Sequence, residues 1–136
     1  MLYQSFDNTT EGLKRVYVNE LWYAGIKNFK ENTSINNINY LEKHKESDEL
    51  FILIEGKSML VTAEEKDGNF QFEAFMLEKG KIYNIPCGVW HTNVLWPDCK
   101  LVLSAKSNTS LENSIVNTLE GSELEKLKKV MRAAAK

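Results

Sequence analysis

Histidine, cysteine and proline are scarce in this chain of 136 residues, which has two of each. The two cysteines, Cys87 and Cys99, lie twelve residues apart and form no C-x-x-C pair, which argues against a disulfide scaffold or a thiolate zinc site. They read as small, partly buried residues, with Cys87 close in sequence to His91. No run of 18 apolar residues occurs, so no membrane-spanning helix is expected. The opening stretch, "MLYQSFDNTTEGLKRVYVNE", has no basic start followed by an apolar segment, so a soluble, cytoplasmic protein is expected. An excess of positive charge is also missing. Lys and Arg number 17 against 19 Asp and Glu, for a formal net charge of -2, and the basic residues are scattered, which argues against nucleic acid as a partner. A small-molecule ligand is the better expectation.

What is present is a succession of short apolar or alternating runs separated by turn residues, the pattern of an all-β sandwich or barrel. Strands are predicted at 13–18, 21–29, 35–44, 49–56, 57–64, 70–77, 81–86, 90–96 and 100–106. Asp67-Gly68 between two of them predicts a hairpin turn. The stretch "LFILI" (50–54) is apolar on both faces. If Glu49, Phe51 and Leu53 point into a barrel, Leu50, Ile52 and Ile54 need cover from another layer or a second subunit, and a homodimer is expected.

The polar stretch "SNTSLENS" (107–114) reads as a surface loop. A C-terminal helix is predicted over about 121–134, with Ser122 and Glu125 as a capping box and Leu124, Leu127 and Met131 on the face toward the domain. No repeat, linker or low-complexity tract appears, so residues 1–136 are expected to form one domain.

With only His44 and His91 available, any imidazole chemistry must use those two positions. Each stands beside a turn at the edge of an apolar strand. Alternation places Tyr40, Glu42 and His44 on one strand face, and His91, Asn93 and Leu95 on another. Glu49 opens the "ELFILIEG" strand. Side chains of neighbouring strands converge in the mouth of a small barrel, which makes these residues candidate ligands.

The spacing of these residues resembles the two motifs of the cupin family. His44, four residues, Glu49, six residues and Gly56 match the later part of the first motif, and Gly80, Pro86, Gly88 and His91 match the second, with Leu95 where an Asn would stand. The resemblance covers roughly 42–95. It implies a cupin-like double-stranded β-helix, or jelly-roll barrel, followed by the C-terminal α-helix. Glu42 occupies the place of the first family histidine. The family's site therefore implies Glu42, His44, Glu49 and His91 as a metal set for Mn, Fe, Ni or Zn, with His91 and Glu49 as candidate catalytic residues. A narrower resemblance, over 44–95 and strongest at Gly88-Val89-Trp90-His91, is to ureidoglycolate lyase, although the position of Glu49 there is not usually acidic. It implies a small polar metabolite such as a ureide, sugar or carboxylate, handled by lyase, isomerase or oxygenase chemistry. The alternative is a non-catalytic binding or sensor protein of the same fold without metal. Glu46 and Asp48 read as solvated turn residues.

Overall fold

The computed structural model describes residues 2–136. Ten strands form: β1 (Gly12–Val18), β2 (Trp22–Asn28), β3 (Tyr40–His44), β4 (Glu49–Glu55), β5 (Ser58–Lys66), β6 (Asn69–Met76), β7 (Ile82–Ile85), β8 (Trp90–Leu95), β9 (Lys100–Lys106) and β10 (Ser114–Thr118). One helix, α1 (Gly121–Ala134), follows them. The strands make two five-stranded antiparallel sheets, ordered β1-β2-β9-β4-β7 and β10-β3-β8-β5-β6. This is the jelly-roll architecture expected from the sequence.

Alternation assigns each strand an inner and an outer face. Phe51, Leu53, Leu60, Leu95, Leu101 and Leu103 are buried together between the sheets. Met59, Val61 and Val94 project the other way from the second sheet and are covered by Leu127 and Met131 of α1. The helix is thus a third layer on the outside of the barrel. It begins where predicted, but the Ser122–Glu125 capping box does not form. The residue before the helix, Glu120, is extended and gives no side-chain cap, and Gly121 has φ +56°, so Ser122 already lies inside the first turn. Glu123 instead accepts a hydrogen bond from the Phe70 backbone N–H at 3.3 Å and pairs with Lys126 at 3.0 Å, tying the helix start to β6.

Two strand boundaries also differ from expectation. Residues 35–39 are turn and coil after a short 3-10 turn at Glu31–Thr33, so β3 starts only at Tyr40. Residue 114 does not end a loop but begins β10, which pairs with β3 in the register Ser114↔His44. The Asp67-Gly68 turn is as predicted: both residues have positive φ and join β5 to β6. Gly56 is the most constrained glycine. Its φ is +71°, and a Cβ there would collide with the Asp98 backbone carbonyl.

In β4, Glu49, Phe51 and Leu53 face inward and are buried, while Leu50 and Ile52 are half-buried and Ile54 is 43% exposed on the outer face. No helix among the described residues is long and apolar enough to cross a membrane.

Because Leu127 is fully buried in the layer between α1 and the second sheet, Leu127→Ala should lower unfolding free energy by about 2–5 kcal/mol in urea titrations. Lys129→Ala, on the exposed side of the helix, should change it by less than about 0.5 kcal/mol. Equal effects of the two would show that the helix does not seal this core.

Candidate metal centre

Two paired strands of one sheet, a strand of the other and a turn build the site. Tyr40–His44 runs antiparallel to Trp90–Leu95 with Glu42 opposite His91, so both side chains leave the sheet on the inner face. Two residues on, alternation returns His44 to that face at the end of β3. Glu49 reaches the same place from the other sheet, as the first residue of β4, paired with Ala105 and Ile85. The turn before β8 is fastened to the end of β3, since the Gly88 N–H donates to the His44 carbonyl at 2.8 Å. Gly88 can close that turn because φ there is +82°.

These elements bring together all four expected residues. One donor atom from each of Glu42, His44, Glu49 and His91 lies within 4.8 Å of the others. His44, Glu49 and His91 are buried, and Glu42 is half-buried toward solvent. His91 Nε2 is 3.3 Å from Glu49 Oε1 and 3.9 Å from Glu42 Oε1, and His44 Nε2 is 3.5 Å from Glu49 Oε2.

The tautomers define what this cluster needs. His91 Nδ1 is 3.0 Å from the Val89 carbonyl, which only accepts, so Nδ1 carries the proton. In the neutral imidazole Nε2 then presents a lone pair to two carboxylate oxygens. Such acceptor atoms repel one another unless a proton or a cation lies among them. His44 shows the same need. Its Nδ1 is 2.7 Å from Ser114 Oγ, whereas the buried Nε2 has no hydrogen-bond partner and meets Glu49 Oε2 only as an ion-pair contact at 3.5 Å.

Two imidazole nitrogens and two carboxylate oxygens form a donor set suited to a divalent first-row metal. The 3.3–3.9 Å separations match the edges of a coordination shell with bonds of about 2.0–2.2 Å. The residues present therefore fit a metal ion, through His44 Nε2, His91 Nε2, Glu49 and Glu42. Ser114 and the Val89 carbonyl hold the far sides of the two rings, the usual way of orienting metal-binding histidines.

Sequence reasoning missed Ser114. It lies in the polar stretch read as a loop, and only its register opposite His44 reveals its role. Lys27 was also missed, although it projects from β2 toward Asn93 inside the barrel, Nζ to Oδ1 at 3.5 Å. Glu46 and Asp48 are exposed, as expected. Asp48 braces the turn by accepting from the Cys87 N–H at 2.8 Å and the Asn84 amide at 3.3 Å. Cys87 is exposed and Cys99 buried, and both are free.

Charge in the cluster is strongly coupled. Burial alone would push the Glu49 carboxyl up, but its pairing with His44 and His91 outweighs burial and brings it down to about 2. Pairing with Glu49 holds the His44 imidazole above its ordinary 6.5, against the opposing effect of burial. Without metal, the raised His44 stabilises the fold below about pH 6.5 and loses that contribution as pH rises through its folded value. The depressed Glu49 stabilises above about pH 4.5 and loses its contribution as pH falls toward 2. Thermal melts in the presence of a chelator should therefore show greatest stability between about pH 4.5 and 6.5, with a fall on the alkaline side that His44→Gln removes. The same alkaline fall in His44→Gln would assign it to another group.

No protein-family model matches the sequence, and no curated protein matches it. Solved structures do. A crystal structure of a Bacillus halodurans protein aligns over 91% of this chain and 84% of its own, with 17% identity and a TM-score of 0.54. A cupin-2 domain containing protein from Shewanella frigidimarina aligns over 72% and 82%, with 19% identity and a TM-score of 0.48. Vicilin from tomato, Solanum lycopersicum, aligns over 73% of this chain with 15% identity and a TM-score of 0.45, and this chain spans 26% of the vicilin's length. The first of these likenesses establishes a shared fold.

Proposed function

We propose, for a chain with the cupin fold and this donor set, that the polar end of the barrel is a divalent-metal centre acting on a small, polar, oxygen-bearing metabolite. The observation that carries the reading is the convergence of four donor atoms within 4.8 Å, one of them the unpartnered Nε2 of buried His44. A metal bound there would act as a Lewis acid on a carbonyl or carboxyl oxygen. The chain's own residues do the rest. Ser114 and Val89 fix the two rings, Glu49 supplies permanent negative charge, and the Phe51 ring beside His91, centroids 6.2 Å apart, closes the inner side against water. Half-buried Glu42 lies on the side open to an incoming molecule. Ureides, sugars and keto acids are the substrate classes to test, with lyase, isomerase or oxygenase turnover as the readout. A binding or sensor protein would hold one of them without turnover.

Titration of chelator-treated protein with Mn, Fe, Ni and Zn should give one micromolar or tighter site. His44→Ala and His91→Ala should each abolish it, and Glu46→Ala should leave it intact. Glu42→Gln should weaken it about tenfold or more if that carboxylate is a ligand, and less if it only accepts a hydrogen bond from one. Affinity should rise with pH, because the proton on His44 must leave before its nitrogen can bind. Failure of every metal to bind the wild-type protein would remove the reading.

We propose also that a second copy of the chain covers the outer face of the first sheet. Ile82, Ile52, Val102 and Ile26 form one cross-strand apolar row there, with Ile54 at 43% and Ile82 at 63% exposure. A two-fold arrangement lets the same row pack against itself. Sedimentation should show a dimer at micromolar concentration and a folded monomer for Ile82→Glu. A monomeric wild-type protein would overturn this.

A further inference from the structure

The barrel interior holds a cation that the metal reading leaves unused. Lys27 shares the inner face of β2 with buried Tyr23, four residues earlier. Its Nζ is 3.5 Å from Asn93 Oδ1 and forms no ion pair among the described residues. Asn93 is fixed in orientation, because its amide nitrogen donates to Ser58 Oγ at 2.9 Å and to the Met59 carbonyl at 3.2 Å. Its oxygen therefore has to face Lys27. That one long contact to a neutral oxygen leaves the half-buried ammonium without a carboxylate partner among the described residues. Burial lowers the Lys27 pKa, while the charges of Glu42 and Glu49 oppose that shift, so the amine lies within electrostatic reach of the same two carboxylates that would hold the metal.

Formal charge then decides what else the bowl requires. Two neutral imidazoles, two carboxylates and a divalent ion sum to zero, and Lys27 adds one positive charge. A net positive charge withdrawn from bulk water is unfavourable without a counter-charge. When the metal takes up the field of Glu42 and Glu49, Lys27 loses the compensation of those two carboxylates. A small anion would restore neutrality, with one oxygen toward the metal side and its carboxylate toward Lys27. A neutral sugar or ureide would not.

We propose that Lys27, held by Asn93, is the specificity-determining residue for a monoanionic ligand, a small hydroxy- or keto-carboxylate, bound beside the metal cluster. This rests on the metal reading above and narrows its substrate class. A charge-assisted contact of this kind is worth more than a neutral hydrogen bond and cannot be replaced by an uncharged amide.

The test uses zinc-loaded protein titrated calorimetrically with glycolate and with its neutral isostere glycolamide. Wild-type protein should bind glycolate at least about tenfold more tightly than glycolamide. Lys27→Met should lose that preference, and Lys27→Arg should retain most of it. Zinc affinity without any anion should be unchanged or higher in Lys27→Met, since a nearby positive charge is removed, and this also reports that the variant is folded. Equal binding of glycolate and glycolamide by the wild type would overturn the proposal without any variant, as would a preference that survives Lys27→Met. Zinc binding with either of those results removes only the role of Lys27. No zinc binding by the wild type removes the metal reading and this inference together.

Discussion

Two imidazoles and two carboxylates are crowded together at one end of this barrel, three of the four buried, and the rest of the fold supplies the force that holds them there. His91 Nε2 faces the carboxylates of Glu49 and Glu42, and His44 Nε2 has no hydrogen-bond partner of its own. Left to itself such a cluster would open to water. It is kept closed because β4 and β8, which carry Glu49 and His91, have their other inward positions, Phe51, Leu53 and Leu95, locked in the apolar core. Moving Glu49 outward would require β4 to slip, which would turn Phe51 and Leu53 to the wrong face. The second apolar layer, beneath α1, pins β5 and β8 from behind. The strain of convergence is thus carried by burial at a distance from it.

Much of this could be read from the sequence because the residues that matter sit where strands meet turns. Gly56, Gly80 and Gly88 all have positive φ, so their spacing marks where the chain reverses and hence where His44, Glu49 and His91 enter or leave strands. The apolar strand at 49–56 was legible for a related reason: its apolar residues on both faces leave no polar alternation to misread. The Asp67-Gly68 turn was legible because its backbone admits few other residues.

The misses have physical causes of a different kind. Strand β10 is an edge strand with Ile115 at 40% and Val116 at 49% exposure, so it is too short and too little buried to impose a pattern on a polar neighbourhood. Its contribution, Ser114 against His44, depends on pairing with a strand about seventy residues earlier, which no local pattern encodes. Lys27 was overlooked because a lysine in an apolar strand reads as the solvated position. Here the face is settled by Tyr23 and by the register with β9, where Lys27 lies opposite buried Leu101. The failed capping box shows how weak a four-residue signal is once a tertiary contact competes for the first turn, as the Phe70 N–H does for Glu123.

Glu49 was expected both as a metal ligand and, with His91, as an acid or base, and the electrostatics separate these roles. A carboxyl brought down to about 2 is ionised throughout the physiological range and has almost no proton to give. It is also a poor acceptor, since a useful base needs a pKa near the working pH. What such a group does well is hold a fixed negative charge where positive charge must be kept. Tyr23 is no better placed for proton transfer, as burial and the nearby Glu49 push its hydroxyl up to about 12. The His44 imidazole is moved upward from 6.5, and that shift depends on Glu49 remaining charged. The arrangement is therefore better suited to gathering a cation and orienting a ligand around it than to moving protons unaided.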